Sequence, residues 1–412
     1  MLIRCFSATL FLLMTLGVAA QNENMDESKV NPYTLPELLI SSNGKKITSI
    51  KQWEKIRRPE ILSLYEKNVY GRIPGHPANM HFIIRNEDKN AMQGKATRKE
   101  VTILFTAKEK GPALHLLLWL PNQVAKAPVF VGLNFEGNHT THADSSISIT
   151  DSWMTTSKNK TVSRGSQASR WQVDTLIAHG YGLATAWYQD VERDDSTGWK
   201  TGIRTTLQES LKISPDEWAA LAVWGWTNSR IMDYLETDAR VDAKRVILTG
   251  HSRLGKAAIW GAANDSRFAA IVSNNSGEGG AALARRNFGE DVKRINRAFP
   301  HWFIGKFKDY SFAVDQLPVD QHMLLALMAP RPLYVASAQE DAWADPKGEF
   351  LSAWHASATY ALYIRKGIPS ETMPPVNSPA GKYVRYHIRT GKHDVTLYDW
   401  QQYIAFADEY VR

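Results

Sequence analysis

Arg245-Val246-Ile247-Leu248-Thr249-Gly250-His251-Ser252-Arg253-Leu254-Gly255-Lys256 is the stretch on which the fold turns. Residues 245–249 are a short, largely apolar and β-branched run of the kind a buried strand shows, and residues 254–263 read as a helix. Ser252 therefore stands at a strand–turn–helix corner. Such a corner holds a hydroxyl exposed above the sheet, with the N–H groups and positive potential of a helix start behind it. The general elbow pattern is G-x-S-x-G, but here Leu254 stands two after Ser252 and the glycine comes one later, at Gly255. The bare pattern fails, and the strand-before, helix-after context carries the reading of Ser252 as a nucleophile. The plainer alternative is a serine that only caps a helix.

Outward from this corner the chain alternates strands and helices. Towards the N-terminus, residues 52–70 carry an apolar face at helical spacing. Residues 101–106 and 114–120 read as two strands pairing antiparallel, 128–135 as a buried parallel strand, and 181–188 as another strand. A long helix is expected over 215–236, with Asp216 and Glu217 in its first turn. Beyond the corner, strands are expected at 269–273, 333–336 and 384–388, and helices at 347–365 and 397–411. This β-α-β order predicts a mostly parallel sheet covered by helices on both faces, the three-layer α/β-hydrolase arrangement. Residues 138–167 are rich in Ser, Thr, Asn and Asp without a sustained period. They read as a loop insertion over one rim of the sheet, a length usually reserved for function.

Three segments follow from composition. Residues 1–20 read as an export signal: Arg4, a short apolar run, then Val18-Ala19-Ala20. The run is too short to span a bilayer, so we expect export to the periplasm or the exterior and no membrane span. The single cysteine, Cys5, lies inside this signal, which excludes disulfides, thiolate metal sites and a cysteine nucleophile from the mature chain. Residues 21–45 form a polar leader, and 46–412 are expected to be one catalytic domain. The net charge of +7 is spread along the chain, which argues against nucleic acid and fits an acidic polymer outside the cell.

A nucleophilic serine needs a base and an orienting acid. His393 follows the strand 384–388 and precedes the last helix, where this fold places its base. His251, His301, His322 and His387 fit the order less well. The acid belongs in the loop after strand 333–336, where Glu340, Asp341 and Asp345 compete. His139, His142 and Asp144 form H-x-x-H-x-D, but without a third histidine or helical spacing we expect no metal site.

The segment Gly250-His251-Ser252-Arg253-Leu254-Gly255-Lys256 resembles the G-C-S-R-x-G-K motif of the glucuronoyl esterases, carbohydrate esterase family 15, departing only at His251. Leu133-Asn134-Phe135-Glu136-Gly137-Asn138-His139-Thr140, Pro300-His301-Trp302-Phe303, Trp343-Ala344-Asp345-Pro346-Lys347-Gly348 and Gly391-Lys392-His393-Asp394 extend the resemblance to its bacterial branch. It implies a cofactor-free serine esterase that cleaves glucuronate esters, such as those joining glucuronoxylan to lignin, and we expect it to act as a monomer. It also implies that Arg253 stabilises the oxyanion, and that Lys256, Trp343 and Glu290 contact the sugar. Many members carry their acid as the glutamate of E-S-G, where this chain has Asn275-Ser276-Gly277. By the bacterial pattern the acid stands two before the tryptophan, at Asp341, with Glu278 ranked second. The rivals are a carbohydrate acetyl esterase on the same fold and a non-catalytic glycan-binding protein.

Overall fold

The computed structural model describes residues 23–109, 111–149, 153–154 and 162–411. The expected export signal lies outside these residues, as does part of the 138–167 insertion. A ten-stranded sheet organises the chain: β1 (His81–Ala91), β2 (Ala96–Leu104), β3 (Ala113–Pro121), β4 (Ala127–Asn134), β5 (Gly182–Trp187), β6 (Val241–His251), β7 (Ala270–Asn274), β8 (Leu333–Ala338), β9 (Ala380–Gly381) and β10 (Val384–Arg389). Their spatial order is β1-β2-β3-β5-β4-β6-β7-β8-β10-β9. β5, β4, β6, β7, β8 and β10 run parallel, while the β1-β2-β3 edge and β9 are antiparallel.

Side chains alternate across each strand, so neighbouring residues enter different apolar clusters. Val129 and Val131 of β4, Leu248 of β6 and Val335 of β8 join one cluster. Helices α1 (Arg58–Asn68), α3 (Ala220–Leu235), α4 (Arg253–Asn264) and α5 (Pro346–Leu362) contribute to that cluster. Phe130, Ile247 and Tyr334 join the other, with α2 (Val173–Ala178) and α6 (Leu397–Tyr410). Each fully buried side chain of this size contributes about 1.5–3 kcal/mol.

Helix α4 hangs directly from β6 and is pinned to α3 by a glycine contact. A Cβ on Gly261 would lie 2.8 Å from the Gly225 carbonyl oxygen, and one on Gly225 would lie 2.9 Å from that of Ala257. The backbones therefore touch, which fixes the height of α4 and of the serine at its start.

Several expected bounds shift. The helix read over 215–236 starts at Ala220, because Ser214 to Glu217 closes a turn and Trp218 makes a β-bridge to Gly71. The helical pattern at 52–70 begins at Ile50, passes through a π turn over Trp53–Arg57 and ends at Asn68. Strand β1 has no counterpart in the sequence reading. The polar leader packs on the body: Arg57 donates to the carbonyls of Glu37 and Leu38, and Arg286 pairs with Glu27. Among the described residues, no helix is long and apolar enough to cross a membrane.

Candidate active site

Ser252 adopts φ 56° and ψ −131°, a backbone conformation that non-glycine residues rarely hold and that clusters at functional sites. Its N–H bonds the Asn274 carbonyl at the end of β7 at 2.9 Å, while its own carbonyl accepts from the Gly255 and Lys256 N–H groups. The irregular glycine spacing has a physical reason. A Cβ at Gly250 would sit 2.2 Å from the Leu254 carbonyl, and one at Gly255 would lie 3.0 Å from Ser276 Cβ. The turn needs bare backbone at Gly250 and again where α4 passes the β7 loop, which is at Gly255 rather than Leu254. With the Gly255 and Lys256 N–H groups turned to Ser252, the Arg253 and Leu254 N–H groups at the start of α4 have no carbonyl one turn behind them within the helix.

Ser252, Arg253 and His393 line one cleft of about 410 Å³, together with His251, Phe135, Glu136, Arg170, Trp187, Tyr188 and Gln189. His393 stands on the loop after β10, with its side chain 40% exposed. Its Nδ1 meets Asp341 Oδ2 at 2.6 Å, and the Asn275 amide donates to the same oxygen at 2.7 Å. Burial alone would raise the Asp341 carboxyl, but the hydrogen bond and charge of His393 and the Asn275 amide outweigh it and hold the group below its ordinary range. With Nδ1 committed to a carboxylate, the other ring nitrogen of His393 is left for the cleft.

The competing carboxylates face elsewhere. Glu340 is exposed. Asp345 caps α5 through the Gly348 N–H and pairs with Arg286. Glu278 is buried in a separate group, where burial and the nearby Asp320 push its carboxyl well up, and its Oε1 has no hydrogen-bond partner among the described residues. Its main-chain carbonyl, with that of Ser276, receives the Lys256 ammonium at 2.5 and 2.7 Å.

Arg253 is clamped. Its guanidinium lies 4.8 Å from the Trp302 ring and 5.4 Å from that of Phe299, and it pairs with Asp194. Asp194 also accepts from Trp302 Nε1 (2.7 Å), His301 Nε2 (2.8 Å) and the Tyr188 hydroxyl (2.9 Å). Burial opposes its charge, yet these donors hold the carboxyl far below its ordinary range. Lys256 approaches the same Trp302 ring at 5.7 Å and meets Glu290 Oε2 at 3.4 Å. The Glu290 N–H donates to the Trp343 carbonyl, and Arg294 lies over the half-buried Trp343 ring. The residues read from sequence thus fall into two adjoining groups: Ser252, Arg253, His393 and Asp341 about the cleft, and Lys256, Glu290 and Trp343 beyond Trp302.

The side chains of His139, His142 and Asp144 are engaged by protein groups. His139 meets the Val162 carbonyl, His142 meets Asp174, and Asp144 pairs with Arg98. Sequence reasoning missed Asp194 as the anchor of Arg253 and Asn275 as a donor to Asp341. Their one signal was indirect: the acidic run 190–195 directly after a strand, and a polar residue where the resemblance expects an acid.

Known proteins are similar to this chain in sequence and in fold. The family model described as glucuronyl esterase of fungi matches residues 210–363. The carbohydrate esterase MZ0003, from an unknown prokaryotic organism, is 45% identical over 399 residues, 94% of this chain and 92% of the relative. The glucuronoyl esterase from Solibacter usitatus superposes with a TM-score of 0.87 at 50% identity, covering 93% of this chain and 99% of that one. A family 15 glucuronoyl esterase from Teredinibacter turnerae superposes with a TM-score of 0.79 at 33% identity, over 94% and 92% of the two chains. An α/β-hydrolase-like sheet with a strained serine at the end of β6, matched along nearly its whole length by such relatives, belongs to the glucuronoyl esterases of carbohydrate esterase family 15, which are carboxylic ester hydrolases.

Proposed function

We propose that the chain hydrolyses esters of glucuronic or 4-O-methylglucuronic acid, including those that tie glucuronoxylan to lignin alcohols. The reaction runs through an acyl-enzyme on Ser252. Ser252 Oγ attacks the ester carbonyl while the free ring nitrogen of His393 takes its proton, and Asp341 holds the imidazolium that forms. Arg253 and the first N–H groups of α4 meet the developing oxyanion, where fixed donors contribute most. The alcohol leaves with the proton from His393, and water releases the acid by the same route. Lys256, Glu290 and Trp343 read the uronate. We also read residues 46–412 as one catalytic domain, the two apolar clusters as the helical layers of a three-layer sandwich, and the enzyme as an exported monomer.

The observation that carries this reading is the 2.6 Å contact between His393 Nδ1 and Asp341, in a cleft shared with Ser252 at φ 56°. The test is hydrolysis of benzyl glucuronate against acetylated xylan by the wild type and by Ser252→Ala. We expect turnover on the glucuronate ester by the wild type alone. Glucuronate hydrolysis by Ser252→Ala, or preference for acetyl esters, overturns the reading.

A further inference from the structure

The one departure from the family's nucleophile motif, His251, points into the site. It ends β6, pairs in register with Asn274 of β7 and immediately precedes Ser252. Its ring centroid lies 4.6 Å from that of His393, with 42° between the planes, and Phe135 meets it edge-on at 6.2 Å.

The ring is tethered by a chain of buried polar groups. Its Nδ1 lies 2.6 Å from Asn274 Oδ1. The Asn274 amide nitrogen faces the Tyr403 hydroxyl at 2.8 Å and Asp399 Oδ1 at 3.5 Å. Asp399 is fixed in turn by His387, Arg389 and both donors of Thr396. With the amide nitrogen turned to a carboxylate, Asn274 offers its oxygen to the histidine. The proton of the neutral His251 ring therefore sits on Nδ1, as assigned from this network. Burial, then the neighbouring His393, push the His251 imidazole down to about 3, so the ring is uncharged at neutral pH.

His393 itself is held by Asp341 at one ring nitrogen. Its side chain is 40% exposed, and the bond to Asp341 fixes one nitrogen while leaving rotation about that bond. A ring packed against it removes that freedom, and a neutral one does so without opposing the imidazolium.

We infer that His251 is a positioning residue that holds His393 in line between Asp341 and Ser252. The inference rests on the proposed role of His393 as base, and its test is separable from the test of that role. His251→Ala and His251→Cys both remove the ring. Cysteine is the residue of the family motif, and the only other cysteine of the chain is Cys5, so it gains no thiol partner in the mature enzyme. His251→Phe keeps a ring of similar breadth without the polar atoms.

On benzyl glucuronate, the Ala and Cys variants should lose at least about tenfold in kcat with KM near the wild-type value, since small misplacements of a catalytic group act on turnover. His251→Phe should recover most of that loss. Thermal unfolding selects the folded variants, and the Cys variant replaces Ala if Ala does not fold. Wild-type kcat in a ring-less variant, a rise in KM without a fall in kcat, or a Phe variant as slow as Ala each overturns the inference. Activity retained by Ser252→Ala would instead strike the proposed mechanism.

Discussion

Asn275 donates its amide to Asp341 Oδ2 at 2.7 Å, the same oxygen that meets His393 at 2.6 Å. In the proposed triad, the side chain at the position where the family resemblance expects an acid thus serves Asp341, on the loop after β8. Asp341→Asn should lower kcat by on the order of 10³–10⁴, because an amide cannot stabilise the imidazolium and leaves the ring in the wrong tautomer. Asn275→Ala should cost much less, and Glu278→Gln should leave kcat near the wild-type value. Steady-state kinetics on benzyl glucuronate read all three, and a Glu278→Gln loss equal to that of Asp341→Asn would reverse the assignment.

Asp194 accepts four donors, one of them the Arg253 guanidinium. Removing the carboxylate leaves Arg253 stacked on Trp302 but untethered. Asp194→Asn should therefore lower kcat by about 10–100-fold, somewhat less than loss of an oxyanion donor outright. The double variant with Arg253→Ala should be no slower than Arg253→Ala alone, since both changes remove one function. Additive losses would show that Asp194 acts through another group.

The strand–Ser252–helix corner and His393 were legible because each depends on local pattern and chain order. The acid was not legible from spacing, since Glu340, Asp341 and Asp345 lie within six residues; the family resemblance singled out Asp341, and the fold turns it towards His393. Strand β1 escaped notice because most of residues 85–90 are exposed and polar, so no apolar alternation marks it. Asp194 was hidden for another reason. Its partners Arg253 and His301 stand 59 and 107 positions away, and no spacing rule reaches that far.

Glu349 of α5 lies fully buried behind the site, accepting from Ser337 Oγ at 2.6 Å and the Gly277 N–H at 3.0 Å. Burial raises its carboxyl to about 8, partly offset by these two donors, with the nearby Asp341 charge adding to the rise. A carboxyl raised on folding stabilises the native state fully below its unfolded value of roughly 4.3, and that share is lost as pH climbs towards the folded value. The wild type should thus weaken relative to Glu349→Gln between pH 5 and pH 8, seen as a Tm difference that moves in favour of the variant. A Tm difference independent of pH would show that Glu349 does not titrate in this window.

Gly261 lies nine residues along α4 from Ser252, at the point where α4 crosses α3. A methyl group there meets the Gly225 carbonyl at 2.8 Å and its Cα at 3.1 Å, both main-chain atoms of a buried helix that cannot swing aside. Helix propensity favours Gly261→Ala by about 1 kcal/mol, while overpacking costs about 1–3 kcal/mol, so the clash should win and Tm should fall. Relief requires α4 to move away from α3, and Ser252 heads α4. Gly261→Ala should accordingly lose kcat as well as stability. Gly75→Ala meets nothing within 4 Å and is the matched control, expected to leave both unchanged. Should Gly261→Ala lower Tm while kcat holds, the helix crossing would be a stability feature only, and the elbow would be set by the Ser252–Asn274 bond and Gly250 alone.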